Sequence, residues 1–225
     1  MNAPHEWRQG LPAVTVASVR RCESLGDVTD IFDPDAQIAI HPRQIDRAIV
    51  AWLNAAAHGG LLGNGFRTGL GAGERLADDL LPDLPGRELL ATDISDLAEI
   101  YCELLGCPQA GVRLEVVAGA MCPRFHVDRV GIRMLCTYRG PGTEWLDDSD
   151  ADRRLLGRRA EGASDESCGL ILDPRAVQMV PPFAIALLKG SLWQENAERG
   201  IIHRSPVVTL PESPRVLLAI DAFGD

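Results

Sequence analysis

From Gly111 onward the chain repeats with a period of two. Val112, Leu114, Val116 and Ala118 alternate with Arg113 and Glu115, and successive side chains of a strand point to opposite faces. Further strand-like runs follow at Ile132–Tyr138, Ala176–Val180, Phe183–Leu188, Ile201–His203, Val207–Leu210 and Arg215–Ile220. The segments RGPG, VPP, KG, SP and PESP separate them, and these residues punctuate strands because proline has no N–H for a ladder and glycine favours turns. Short strands at this density, with no helices between them, predict a β-sandwich or barrel. A polar stretch at 147–169 interrupts the strands and reads as an excursion, a candidate lid.

The first 110 residues have a different texture and read as mostly helical. The first forty are irregular, with one short strand expected in IFDPDAQIAIHP. Pro42 is expected to open a helix, since its fixed φ suits a first turn. Ile45, Ile49, Trp52, Leu53 and Ala56 then recur at helical spacing up to His58-Gly59-Gly60. The glycine-rich stretch GGLLGNGFRTGLGAG lacks the Gly-Lys-Ser/Thr ending of a phosphate loop and reads as a mobile loop. A second helix is expected from a cap at Thr92 or Asp93. Its apolar stripe runs through Ile94, Leu97, Ala98, Tyr101, Leu104 and Leu105, with Gly106 as the stop. Two amphipathic helices need an apolar surface to cover, and the sheet offers one. The chain is therefore expected to form a single domain over residues 1–225, with a β core at 111–225 braced by the N-terminal helices.

Charge narrows the partners. The 225 residues carry 22 Lys and Arg against 32 Asp and Glu, a formal net charge of −10. Nucleic acid and anionic membrane both call for a basic surface, so neither is an expected partner. No apolar run approaches the roughly 20 residues that span a bilayer, and the first residues lack a signal-peptide pattern. A cytoplasmic address is the expectation. Six scattered cysteines (Cys22, Cys102, Cys107, Cys122, Cys136 and Cys168) form no C-x-x-C pair and read as free thiols or small apolar residues.

Chemistry concentrates in MCPRFHVDRVGIRMLCTYRGPGTEW, residues 121–145. Residues two apart on a strand share a face, so His126 and Asp128 can both aim at one point. Of the five histidines, only His203 lies in another apolar strand-like run of the β half. Two imidazoles and one carboxylate form the facial triad that leaves positions open on non-haem Fe(II). Twelve residues further on, Arg215 opens RVLLAID, and a guanidinium grips carboxylates by paired hydrogen bonds. The bland alternatives are a core His126 bonded to Asp128, a satisfied His203 and an Arg215 salt bridge. Trp145 and Tyr138 read as core aromatics.

The order His-x-Asp, long gap, His, then Arg resembles the Fe(II)/2-oxoglutarate-dependent oxygenases over roughly Val112–Ala222. That resemblance implies a double-stranded β-helix, of jelly-roll or cupin-like type, flanked by N-terminal helices in an α+β chain with a mainly β core. It implies His126, Asp128 and His203 as metal ligands, Arg215 as the anchor of the distal carboxylate of 2-oxoglutarate, and hydroxylation of a substrate C–H bond. Many such enzymes carry Ser or Thr two residues after the arginine. Leu217 stands there instead, which leaves Tyr138, Thr137 and Arg133 as candidate partners of the cosubstrate. CPRFHVDRVGIRMLCTYRGPGTEWL with HRSP is also similar to a bacterial family, domain of unknown function 1826. The alternative class is a cupin-like protein holding Zn²⁺ or another divalent ion, for hydrolysis, isomerisation or metal handling without 2-oxoglutarate. A third is a binding or structural module on the same fold, in which these residues hold no metal. A small molecule is the expected substrate class in the oxygenase reading.

Overall fold

The computed structural model describes residues 18–119, 122–157, 164–208 and 214–222. In chain order the elements are β1 (Val19–Arg21), β2 (Ile38–His41), α1 (Arg47–His58), β3 (Gly65–Gly71), α2 (Arg87–Leu105), β4 (Gln109–Val117), β5 (Ile132–Arg139), β6 (Glu144–Leu146), β7 (Gln178–Met179), β8 (Ile185–Lys189), β9 (Ile202–Arg204) and β10 (Arg215–Ala222). A 3-10 helix at Leu25–Phe32 joins β1 to β2.

The strands form two sheets. The large one runs β1-β2-β8-β5-β10-β4-β3 and the small one β7-β6-β9. His126 extends the small sheet through an antiparallel bridge to His203. From β4 onward the chain therefore passes between the sheets: large, small at His126, large at β5, small at β6 and β7, large at β8, small at β9, large at β10. That strand order is a double-stranded β-helix, closed enough that its interior can hold side chains and a site.

The alternation of β4, β5 and β10 sorts two environments. Val112, Leu114, Met134, Cys136, Tyr138, Val216, Leu218 and Ile220 face outward and pack with Trp52, Leu53, Leu90, Ile94, Leu97 and Tyr101 of α1 and α2. Burying each such large apolar side chain is worth about 1.5–3 kcal/mol. The Tyr101 hydroxyl ties α2 to the sheet by donating to the Ile132 carbonyl at 2.6 Å. Inside the barrel a second cluster, with Ile38, Leu135, Trp145, Ala186, Leu217 and Ala219, closes one end. Arg113 and Glu115 point inward with it, so the polar half of the β4 alternation lines a site.

Several expectations change here. The glycine-rich stretch is an edge strand: β3 pairs antiparallel with β4 from Gly65–Glu115 to Gly71–Gln109. Gly65 is required there, because a Cβ would sit 1.8 Å from the Leu114 carbonyl oxygen. Pro42 does not open a helix. Arg43 ties the following segment down through Phe183 O and Asp93, and α1 starts only at Arg47, where Asp46 caps Ala48 N at 2.8 Å. The second helix begins at Arg87 after Gly86 at φ 93°. Thr92 and Asp93 lie within it, and the Asp93 carboxylate binds Arg43 and Tyr138 instead of capping. Gly106, left-handed at φ 64°, ends α2 as expected. Residues 18–110 thus supply three strands as well as two helices.

β6 and β1 were not anticipated, and of the strand expected at Val207–Leu210, residues 209 and 210 lie outside the described residues while Val207 and Val208 join no strand. The described part of the 147–169 excursion packs on the outside of the small sheet, where Leu155, Leu156 and Cys168 meet Phe125, Leu146 and Ile202. No helix among the described residues is long and apolar enough to cross a membrane.

Candidate functional site

The backbone brings the two histidines together. His126 N donates to His203 O at 3.0 Å and His203 N returns the bond to His126 O at 2.9 Å. Directly opposed residues in an antiparallel pair point to one face, and the two rings lie 4.6 Å apart between centroids. Asp128 meets both: its carboxylate lies 3.4 Å from His126 Nε2 and 3.1 Å from His203 Nε2. One donor atom from each of the three falls within 4.8 Å of the others. The barrel therefore assembles the His126, Asp128 and His203 set anticipated from spacing.

Each imidazole is oriented from behind. His126 Nδ1 lies 2.8 Å from Arg124 O and His203 Nδ1 lies 3.1 Å from Ile201 O. A carbonyl only accepts, so Nδ1 donates to it and Nε2 turns to the centre of the triad, where it donates to Asp128 when protonated and offers a metal its lone pair once the proton is lost. Burial pushes the Asp128 carboxyl up, but hydrogen bonds from His126 and His203, with the His203 and Arg133 charges, outweigh it and hold the group well below the usual carboxylate range. The hydrogen bond to Asp128 raises His126 above an ordinary imidazole, against the effect of burial.

Arg133 belongs to this centre. Its Nη1 donates to Asp128, and its Nε and Nη2 donate to Asp221 at 2.6 and 3.1 Å. Arg113 meets the same Asp221 at 2.7 Å. The result is a ladder of alternating charge running from the barrel wall to the triad.

Arg215 lies on the same inward face of β10 as Leu217, Ala219 and Asp221. It has no exposed surface, and among the described residues none of its bonds goes to a carboxylate. Nε donates to Pro141 O at 2.8 Å, Nη2 to Thr143 at 2.9 Å and Thr137 at 3.2 Å, and Nη1 to Ser205 at 3.4 Å. Burial draws its pKa down from 12.5 to about 10, with the Glu115 charge pulling the other way. The RGPG turn makes this cradle, since a Cβ on Gly142 would lie 1.8 Å from Val180 O.

A cavity of about 120 Å³ runs from His126, Asp128 and His203 to Thr143 and Ser205, two of the hydroxyls bonded to Arg215, with Leu217 also in its lining. It is smaller than pockets for drug-sized ligands. Of the sequence-predicted partners, Thr137 reaches Arg215, whereas Arg133 serves Asp128. Tyr138 is excluded: it faces the helices and donates to Asp93, because β5 alternation turns it away from Thr137. Thr143, Ser205 and Asp221 escaped the sequence reading. Ser205 carried a signal, lying two residues after His203, whereas Thr143 and Asp221 are brought in by pairings remote in sequence. All six cysteines are free thiols, and Cys122 lies at the cavity.

Solved structures resemble the fold at low identity. The dioxygenase for auxin oxidation of rice is 14% identical at a TM-score of 0.45, over 92% of this chain and 83% of that one. Its Arabidopsis thaliana counterpart, solved with 2-oxoglutarate, is 13% identical at 0.45, over 93% of each chain. A Pseudomonas putida prolyl-4-hydroxylase is 12% identical at 0.43, over 92% and 97%. The strand order, not these scores, carries the fold assignment. No curated protein matches the sequence. The family described as protein of unknown function (DUF1826) matches residues 22–221, and the chain belongs to that family.

Proposed function

We propose that the chain is a non-haem Fe(II)/2-oxoglutarate-dependent oxygenase. The observation that carries this reading is Arg215: a fully buried guanidinium, bonded among the described residues only to neutral groups, two of which, Thr143 and Ser205, line the cavity that holds a converging His-Asp-His set. The triad alone would suit Zn²⁺ equally well. A buried cation with no carboxylate partner among the described residues calls for an anionic ligand.

His126 and His203 would each present Nε2, and Asp128 one carboxylate oxygen, while Arg133 holds the other oxygen and keeps the carboxylate ionised. Arg215 would take the distal carboxylate of the cosubstrate through its Nη donors, and the hydroxyls of Thr137, Thr143 and Ser205 can turn to accept from the guanidinium or donate to the acid. These hydroxyls stand in for the one missing at Leu217. Leu135, Leu217 and Ala219 line the cavity and exclude water around the acid. Iron with 2-oxoglutarate supplies the redox chemistry, in which dioxygen and the cosubstrate yield succinate, carbon dioxide and a hydroxylated C–H bond. The His126 side chain, 35% exposed, marks the open side from which substrate would approach.

The test is an anaerobic titration of metal-free protein with Fe(II), then 2-oxoglutarate, followed by visible absorbance beside His126→Ala. A weak charge-transfer band that needs both additions and vanishes in the variant is expected. Tight metal binding without the band moves the protein to the divalent-metal class, and metal binding that ignores His126 removes the triad.

A further inference from the structure

On the opposite face of the large sheet, away from the triad, lies a recess of about 350 Å³ between Phe32 and the loop at 190–200. We propose that it is a second binding site, taking a small carboxylate that carries a flat apolar body.

Lys189 supplies the charge. It ends β8 on the outward face, with Ile185 and Leu187, and is 1% exposed. Its Nζ donates to Asp33 O at 2.7 Å and has no carboxylate partner among the described residues. An ammonium has three protons to donate, so donors remain for a ligand in the recess that it lines. Gln37 stands next to it. The β2–β8 register continues from Ile38–Leu188 to Gln37–Lys189, where Lys189 N donates to Gln37 O at 2.9 Å, and opposed residues share a face. The Gln37 side chain is 1% exposed, and neither its amide nitrogen nor its amide oxygen has a partner among the described residues. A buried amide left unpaired is rare. Lys189, with donors to spare, is the buried cation that lines the recess, and Gln37 adds an unsatisfied amide on the same side of the sheet.

The wall supplies the apolar half. Phe32 and Trp193 pack with ring centroids 5.8 Å apart, and Phe32 stays 39% exposed. Lys189 Nζ lies 5.9 Å from the Trp193 ring, so a flat ligand lying along the indole would bring its acid to the ammonium. Arg199 stands at the mouth, paired with Asp35 at 3.5 Å with both side chains about half exposed. Such a pair is weak and adds a second cation that an entering acid can use. Burial lowers the Lys189 pKa, in keeping with a cation still lacking its counter-ion.

The test is calorimetric titration of the full metal-free chain with 3-phenylpropionate and benzoate, beside 3-phenylpropan-1-ol and acetate. The aromatic acids should bind, and the alcohol and acetate at least tenfold more weakly. Lys189→Met, nearly isosteric, should weaken the acids at least tenfold, Trp193→Leu should do the same, and Arg215→Met should leave them unchanged within twofold. If Lys189→Met fails to fold, Trp193→Leu and the alcohol decide alone. No binding of either acid up to about 10 mM, beyond even the weakest useful affinity, overturns the proposal. So does an affinity indifferent to both recess variants, or one lost only in Arg215→Met, which would put the acid in the barrel. The metal reading is not involved and can fail independently.

Discussion

Replacing Arg215 by Met separates a ligand anchor from a structural cation. The guanidinium is fully buried, and its pKa falls from 12.5 to about 10 through burial. That fall corresponds to about 3 kcal/mol of unfavourable charge burial at neutral pH, which Met removes while filling a similar volume. Against it stands the Pro141 carbonyl, which loses its 2.8 Å donor, a loss of about 1–3 kcal/mol. The three hydroxyls can turn to other acceptors. The two effects nearly cancel, so denaturant unfolding of the metal-free variant should shift by less than about 2 kcal/mol. Arg43 is the control: its fork meets Asp93 at 2.5 and 2.8 Å, and Arg43→Met leaves a carboxylate unpaired at about 3–5 kcal/mol. Ligand linkage completes the assay. With Fe(II) present and 2-oxoglutarate at about 100 times its Kd, the wild type should gain about 2.7 kcal/mol. A hundredfold loss of affinity in Arg215→Met reduces that gain to about 0.4 kcal/mol. Destabilisation equal to that of Arg43→Met, or an undiminished ligand gain, would refute the reasoning and make Arg215 a structural residue.

Other outcomes follow from the same geometry. Asp128→Asn keeps the shape but not the charge, and should weaken Fe(II) binding at least about a hundredfold in anaerobic titration. Arg133→Met breaks contacts to Asp128 and Asp221 together; unfolding should become easier by about 3–5 kcal/mol, and rescue by Lys should be partial. The pH trends oppose one another. In metal-free protein His126 is raised above 6.5, so its contribution to stability is complete below that pH and is lost as pH rises through the raised value. Metal affinity should rise across that window, because the bound ring has no proton on Nε2; melts and titrations at matched pH check both. Asp128, held low, contributes stability that is complete above about 3.8 and lost as pH falls below it. Gly142→Ala pushes a methyl onto Val180 O and should lower stability by about 2–3 kcal/mol, read from thermal melts.

The candidate ligands were legible because strand periodicity is local: His126 and Asp128 share a face in any extended segment, and the scarcity of histidines singled out His203. Helix ends were less legible. Thr92 and Asp93 look like a cap, yet the Asp93 carboxylate is committed to Arg43 and Tyr138, groups 50 and 45 residues away. Tyr138 reads from the sequence both as a core aromatic and as a candidate cosubstrate partner, because alternation says that two faces exist without saying which one is the interior. The glycines of β3 looked like a loop because a strand of that composition is stable only when β4 lies beside it.

What the sequence determined by itself was the class of architecture and the chemistry available: short alternating strands, two amphipathic helices, a His-x-Asp, a second histidine and an arginine. Those properties belong to residues and their near neighbours. Only the tertiary structure decided that Arg113, Glu115, Arg133, Arg215 and Asp221 turn inward, that Thr143 and Ser205 cradle Arg215, and that Lys189 and Gln37 are buried together behind the sheet. A polar residue on an alternating strand reads locally as solvent-facing. Whether it meets water or a barrel interior is settled by what packs on the other face, and here α1 and α2 take the apolar side and leave the charges within.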